Sequence, residues 1–526
     1  MKKVLFILLG CLLSFNVMAQ VKAISGLVTD VTGEPVIGAS VVEVGTTNGV
    51  ITDLNGKFSL KVAPNSQFLV SYIGYKQQTI KVGSESTYNI VLKEDAEVLD
   101  EVVVVGYGSQ KKVNVTGAVG MVSAEALEAR PVANASQALQ GVVPGLNLTV
   151  GNNGGALDGT LNMNIRGAGT IGDGSGSSPL VLIDGIEGDL NTVNPNDIES
   201  VSVLKDAASA SIYGARASFG VILVTTKSGK SGKTNVSYSG SARFSDAIGI
   251  PDIMDSYTFA QYFNRASANK GGGDIFAPAV MERIKAYQEG TLKATTVDNG
   301  AGIWQKWANA NGNTDWFEEF YDHWAPSQEH NLSINGGTDK TQYLISGSFL
   351  DQKGLMRHGS DKFQRYTLNG KITTAVTDWF KVTYSTKWTR EDFERPTYLT
   401  GSFFHNLARK WPVHPAYDPN GFPMDEGEVE QMENGGKQNS QKDFYTNQLQ
   451  LVFEPIKNWK INLDGSVRTT TQYQHWEVLP VYAYNVDGDP YYTVWDMGYG
   501  SYAAGSSRVN EYSWKENYYT TNIYSD

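Results

Sequence analysis

Cysteine is almost absent: the 526 residues include one, Cys11. It lies in the apolar run Val4–Phe15, behind Met1-Lys2-Lys3 and ahead of Val17-Met18-Ala19. This order reads as a secretory leader, residues 1–19, cut before Gln20. Leu8-Leu9-Gly10-Cys11 has the outline of a lipoprotein signal, but too short an apolar core precedes it, so cleavage at Ala19 is expected. The exported chain then holds no thiol, which excludes disulfides, thiol catalysis and thiolate metal sites. Histidine is scarce too. The six (His323, His330, His358, His405, His414, His475) show no HExxH or other metal spacing and are expected at the surface or against substrate. After the leader no apolar run is long enough for a transmembrane helix, so any membrane crossing must use a β-barrel. Positive charge is in deficit, with 43 Lys and Arg against 55 Asp and Glu, which argues against nucleic acid as a partner. No nucleophile, base or metal constellation supports an enzyme, and no cofactor or metal is expected.

Strand signals dominate what is present. Residues 21–93 alternate short β-rich runs (Ala39–Val44, Phe58–Val62, Phe68–Tyr72, Tyr88–Leu92) with the turn signals Gly33-Glu34-Pro35, Asn48-Gly49 and Asn55-Gly56. Residues 94–112 are a linker. Its acidic stretch (Glu94, Asp95, Glu97, Asp100, Glu101) leads into Val102-Val103-Val104-Val105-Gly106, an apolar strand-former that either adds to a partner as a strand or closes the preceding domain. Residues 113–230 mix short helices (Ser123–Glu128, Asn134–Leu139) with strands at Leu146–Thr149, Leu161–Ile165, Leu180–Ile183, Ser200–Leu204 and Val221–Thr225.

From residue 234 to 526 the character changes. All 11 Trp lie beyond residue 300, and 22 of the 27 Tyr beyond residue 233. Phe380, Val382, Tyr384 and Trp388 alternate with Lys381, Thr383, Ser385 and Lys387, and similar runs cover 365–372 and 461–468. Such alternation, with aromatics near the ends, is the signature of transmembrane barrel strands. Val376-Thr377-Asp378-Trp379 and Ile456-Lys457-Asn458-Trp459 read as short periplasmic turns, while Ile248–Gln328 and Asp392–Lys442 read as long extracellular loops. Seven or eight strands are expected before Asp526, and Tyr518–Asp526 reads as a strand cut off partway. A sheet of that size cannot close around an enclosed domain. The chain is therefore expected to be the N-terminal part of a longer protein, or a truncated, non-functional fragment.

Two nucleotide-like motifs are decoys. Gly167-Ala168-Gly169-Thr170-Ile171-Gly172 meets the GxGxxG spacing but runs into loop residues instead of a helix. Gly229-Lys230-Ser231-Gly232-Lys233-Thr234 lacks the first glycine of a phosphate loop and reads as a basic, flexible hinge. Asp418-Pro419-Asn420-Gly421 is a turn, and calcium near Asp425, Glu426 and Glu428 is conceivable but unsupported.

Two resemblances organise these segments. Ile24-Ser25-Gly26, Gly33–Ala39 and Ser71–Tyr75 resemble the carboxypeptidase-regulatory-like (transthyretin-like) β-sandwich. With no histidine in residues 21–93, this implies a binding or spacer module and no peptidase. Asn164–Gly167, Ser178–Gly185, Asn194–Ala208 and Ser211–Ala217 leading into Gly220–Lys227 resemble the plug of SusC/RagA-type TonB-dependent transporters.

The resemblance implies a mainly β chain: sandwich, small α/β plug, then the first strands of a barrel with 22 strands when complete. It implies an outer-membrane location, with the N-terminal domain in the periplasm and lipid around the barrel. The implied partners are the TonB periplasmic domain, a SusD-like surface lipoprotein, and a glycan or peptide substrate. Asp100, Glu101, Val102, Val103, Val104, Val105 and Gly106 would form the TonB box. Arg166, Gly167, Asp184, Gly185, Asp197, Lys205, Asp206, Tyr213, Gly214 and Arg216 would be plug-motif residues, structural or gating, with the charges of Arg166, Asp184 and Arg216 paired inside a packed plug. A siderophore or cobalamin receptor is the nearest alternative, and a secreted adhesin the alternative of another class.

Overall fold

The computed structural model describes residues 22–93 (except 47, 65, 73 and 74), 102–105, 108–111, 118–493 (except 129, 131, 151–155, 158, 160, 168–177 and 207–209), 495–496, 501–502 and 505–525. The leader with Cys11, and Asp100, Glu101, Gly106, Ala207 and Ala208 among the motif residues, lie outside these.

Seven strands build the first unit: β1 (Lys22–Thr29), β2 (Ser40–Glu43), β3 (Gly49–Ile51), β4 (Lys57–Val62), β5 (Gln67–Ser71), β6 (Gln78–Lys81) and β7 (Thr87–Val91). They form two sheets, β4-β1-β7 and β3-β2-β5-β6. Alternate residues from both sheets, among them Ile24, Val28, Val41, Phe58, Phe68 and Val70, meet in one buried core. β1, β3 and β6 carry too few apolar residues in alternation to have been read from the sequence. Next come β8 (Val102–Val105) and β9 (Gly108–Lys111), paired with each other and with neither sandwich sheet. Val102–Val105 is thus a strand, paired with β9 among the described residues.

The plug sheet has the order β10-β15-β16-β13-β14, from β10 (Val119–Ser123), β13 (Leu180–Ile183), β14 (Ile186–Glu187), β15 (Ile198–Leu204) and β16 (Val221–Thr226). A separate ribbon pairs β11 (Leu146–Val150) with β12 (Leu161–Ile165). Burial on both faces explains the unbroken apolar runs: all four residues of β13 are buried. Short helices at Ala124–Glu128 and Ala135–Leu139 cover one face, the second capped by Asn134, whose side chain accepts from the Gln137 amide at 3.0 Å.

The wall is an eight-stranded antiparallel meander with no crossover: β17 (Gly232–Ser245), β18 (Ala325–Gly337), β19 (Thr341–Lys353), β20 (Lys362–Thr377), β21 (Phe380–Pro396), β22 (Lys437–Ile456), β23 (Trp459–Val478) and, last in the order, β28 (Arg508–Ser525). Short connections, including Asp378-Trp379 and Lys457-Asn458, gather at one end. Long ones (246–324, 354–361, 397–436 and 479–507) gather at the other.

Two expectations need correction. The strands reach further than expected, so 325–328, 392–396 and 437–442 belong to β18, β21 and β22 and not to loops. β28 pairs with β23 from Val478↔Arg508 to Ile461↔Ser525, which places residues 518–525 at the turn-side end of that pairing. The link at 229–234 is no slack hinge. Gly229 packs so closely on Tyr343 that a Cβ would come within 2.4 Å of its backbone nitrogen, and Gly232 already begins β17.

The long connections also fold. They hold helices at Ser256–Asn269, Pro278–Gln288, Trp316–Phe320, Gly401–Leu407 and Val429–Asn434. Two small ribbons join them: β24 (Tyr482–Tyr484) with β25 (Pro490–Tyr492), and β26 (Trp495–Asp496) with β27 (Ser501–Tyr502). Together they make a cap with its own apolar cores, one centred on Trp316, Phe320 and Phe403 and one on Phe276, Val280, Ile284 and Val413.

Candidate functional site

Strand pleating sorts the wall's side chains by face. Ile372, Tyr384 and Leu449 align across β20, β21 and β22, as do Leu368, Trp388 and Tyr445. Five of these six are exposed large apolar residues, on the face turned away from the plug. Aromatics gather at both ends of this belt. At the turn end Phe380 stacks on Phe453 at 4.6 Å beside Trp379, and at the loop end Phe349 meets Tyr366 at 5.1 Å. In the same cross-strand row as the loop-end aromatics, Arg390 forms two hydrogen bonds of 2.9 Å to Asp443 and lies over Trp388.

The opposite face is polar, and the plug sits against it. Asp184 and Gly185 are the two central residues of the β13–β14 hairpin, with φ of 50° and 84°, the left-handed pair that an Asp-Gly type I′ turn requires. The tight turn aims the Asp184 carboxylate at the wall, where it pairs with Lys387 of β21. It also accepts from the Thr226 amide at 2.9 Å and hydroxyl at 2.6 Å, while Gln448 of β22 donates to the Asp184 carbonyl at 3.1 Å. The Asp184 side chain is 8% exposed. Burial alone would favour its neutral form, but the fields of Lys387 and Lys371 and the bonds from Lys387 and Thr226 outweigh that, holding it ionised well below the usual carboxyl range.

Further contacts extend the seam. Arg365 of β20 is buried and donates to the carbonyls of Asn191 (2.8 Å) and Ala133. Arg468 of β23 donates to the Glu187 carbonyl, and Thr389 to the Thr192 carbonyl at 3.1 Å. Asn369 donates to Asp197 at 2.6 Å; burial raises this carboxyl despite that bond and one from Ser346. Between plug and wall a cavity of about 400 Å³ remains.

The structure divides the expected plug-motif residues. Asp184, Gly185 and Asp197 meet the wall. Lys205 and Asp206 brace the plug internally, Lys205 donating to the Pro144 carbonyl and Asp206 accepting from the Ala118 amide, each at 2.6 Å. Tyr213 is buried in a small apolar cluster with Leu204 and Val221, and Gly214 has φ 65°. Arg166 and Gly167 are exposed, both with positive φ. Arg216 is also exposed, at 61%, and bonds Glu187 at 3.0 Å and the Tyr518 hydroxyl at 3.1 Å. Asp184 is therefore buried but paired with the wall, Arg216 is paired within the plug but exposed, and Arg166 is exposed. Arg365, Lys387, Gln448 and Arg468 were missed: their side of the strand was legible as polar, but their plug partners, up to 281 residues away, were not.

The cap corrects the expectation for two histidines. His414 is fully buried, its ring stacked on Trp307 at 4.6 Å. Burial, together with Lys410 and Lys306, lowers its pKa to about 3, so it is neutral. His358 is buried between Glu319 (3.0 Å) and Glu433 (2.7 Å). Both face inward because the cap has apolar cores that composition alone does not reveal. The acidic residues considered for calcium are engaged by lysines: Asp425 and Glu426 by Lys306 (2.7 and 2.6 Å), Glu428 by Lys410 (2.8 Å). Among the described residues no three His, Cys, Asp or Glu gather as a metal site.

Comparison with known proteins matches the fold and its domain order. Residues 24–104 match the CarboxypepD_reg-like domain, and residues 111–221 the TonB-dependent Receptor Plug Domain. TonB-dependent receptor SusC of Bacteroides thetaiotaomicron is 36% identical over 377 residues, covering 70% of this chain and 33% of its own length. TonB-dependent receptor P39 of Formosa agariphila is 32% identical over 414 residues, covering 77% of this chain and 36% of its own. The chain thus spans about a third of the length of these curated relatives. Among solved structures, the RagAB peptide importer in the 'open-open' state superposes with a TM-score of 0.59 at 26% identity, over 72% of this chain and 43% of that one. Its 'closed-closed' state gives 0.56 at 25% identity, over 70% and 42%. With a regulatory-like sandwich, a plug and a meander of barrel strands in this order, the chain belongs to the SusC/RagA family of TonB-dependent receptors.

Proposed function

We propose that the chain forms the sandwich, plug and first wall strands of a TonB-driven outer-membrane importer of oligosaccharides or peptides, working with a SusD-like surface lipoprotein. The observation that carries this reading is the two-faced wall, apolar and aromatic-bordered outside, polar and occupied by a plug inside. From the Phe380 row to the Trp388 row the belt spans eight residue steps. That is about 27 Å along the strand and, at the tilt of such barrels, about 20 Å of membrane. In this reading the short turns face the periplasm and the cap faces outward.

In this reading Asp100–Gly106 is the segment that TonB grips by strand addition, Val102–Val105 being already extended. Asp184 and Asp197 hold the plug to the wall. A peptide cargo is supported by the name of one neighbour, the RagAB peptide importer; the glycan option and the lipoprotein partner rest on the family resemblance. Val103→Pro removes an amide from the ladder and is expected to abolish binding of the TonB periplasmic domain to the detergent-solubilised protein in a pull-down. Undiminished binding would place the TonB contact elsewhere.

A further inference from the structure

The two sides of the plug–wall cavity carry opposite charge. On the wall side its charged residues are Lys371, Lys387, Lys442 and Arg468 against Glu516. On the plug side they are Glu187, Asp189 and Asp197 against Lys227. So the wall presents four bases and one acid in a chain whose formal net charge is −12. Strand register keeps these bases on one face. Lys387 and Arg468 flank Thr446 in a single cross-strand row, and Lys371 lies two residues from Asn369, the partner of Lys387 on β20.

Stability alone does not account for this segregation. Buried ion pairs gain little over apolar or neutral packing, because each charge loses its hydration. Much of the seam is already held by neutral groups, such as Gln448 to the Asp184 carbonyl and Thr389 to the Thr192 carbonyl. Segregated charge has a use where the counter-ion is exchanged. We propose that Lys371, Lys387, Lys442 and Arg468 form an anion track along the inner wall, with the plug carboxylate of Asp184 as the resident counter-ion of Lys387 and Glu516 of the wall beside Arg468, and that the cargo carries carboxylate groups. This rests on the import reading and narrows it.

When the plug moves, Lys387 loses Asp184 and the four bases face confined water. Low-dielectric walls focus their field and raise the local concentration of anions. A carboxylate on the cargo then takes the place of Asp184, while a neutral cargo leaves Lys387 without a counter-charge.

The test uses the complete importer of which this chain forms the first part, inserted in planar bilayers, its plug loosened by moderate urea, with the reversal potential read under a potassium chloride gradient. The track predicts that chloride is preferred over potassium by roughly threefold or more. Lys371→Gln and Lys442→Gln leave the Asp184–Lys387 pair intact and are expected to move the ratio toward unity; Lys387→Arg is expected to keep it. A current without preference, a cation preference, or an unchanged ratio in the Lys371→Gln, Lys442→Gln double variant overturns the track alone. Absence of any current overturns the import reading, and the track with it. Triglutamate and a uronic-acid trisaccharide serve as blocking probes. Block by either supports the track, and the more potent one distinguishes peptide from glycan; failure of both overturns it.

Discussion

The seam and the cap both bury charge, but they surround it differently. In the seam, Asp184 and Lys387 meet beside a cavity, among bonds to backbone carbonyls and other polar groups. In the cap, Lys410 and Glu428 pair at 2.8 Å beneath aromatic rings, with the Lys410 ammonium 4.9 Å from the Trp316 ring centre and the Tyr398 hydroxyl donating to Glu428 at 2.9 Å. The first is an interface whose contacts water or a cargo group can replace. The second is a core, closed by apolar packing that nothing polar replaces. Under the proposed import, a plug that leaves its wall needs the former, and a cap that keeps its shape needs the latter.

The largest expected effect is in the cap. Trp316 is fully buried, and Trp316→Ala is expected to cost about 3–5 kcal/mol of cap stability. Hydrogen exchange should rise across 256–320 and 397–434 while the plug strands stay protected. Equal loss in the plug would show one cooperative unit and break the distinction.

Asp184→Asn should act on the seam. It leaves Lys387 without its counter-charge and is expected to cost about 1.5–3 kcal/mol, read as a lower urea midpoint for plug protection with the cap unchanged.

The smallest effects are the pH dependences, and they run in opposite directions. The Asp184 carboxyl is held below its ordinary value, so its contribution is present above about pH 4 and lost only as pH falls through the lowered folded value. His358 is the converse. Burial opposes its charge, but the bonds to Glu319 and Glu433 outweigh that and raise its pKa. Its contribution is full below about pH 6.5 and lost as pH rises through the raised folded value. Protection of the loop around His358 should therefore fall on the alkaline side, and His358→Gln should remove that dependence. A plug that loosened over the same alkaline range would contradict the assignment.

What the sequence made legible follows from the range of the forces involved. Wall strands could be read because each has one apolar face, so a period of two survives in Phe380–Trp388 and Ile461–Val467. The turns at Asp378-Trp379 and Lys457-Asn458 stood out between such runs. Plug strands such as Leu180–Ile183 could be read as apolar runs, yet the Asp184–Lys387 pair joins residues 203 positions apart and leaves no local trace. The cap was least legible. Its helices are short, its strands small, and its core forms only when four long connections come together, so His358 and His414 looked like surface residues.

In the proposed importer one face of this wall meets lipid and the other meets the plug. Cys11 is the only cysteine, so single cysteines placed along β21 give a direct reading. Val382, Tyr384 and Thr386 are replaced in turn, then Lys381, Thr383 and Ser385, and each variant is reacted in native membranes with a charged, membrane-impermeant maleimide after the plug is loosened with urea. The account predicts a period of two, with 382, 384 and 386 protected and 381, 383 and 385 labelled. Uniform labelling of all six positions would contradict it.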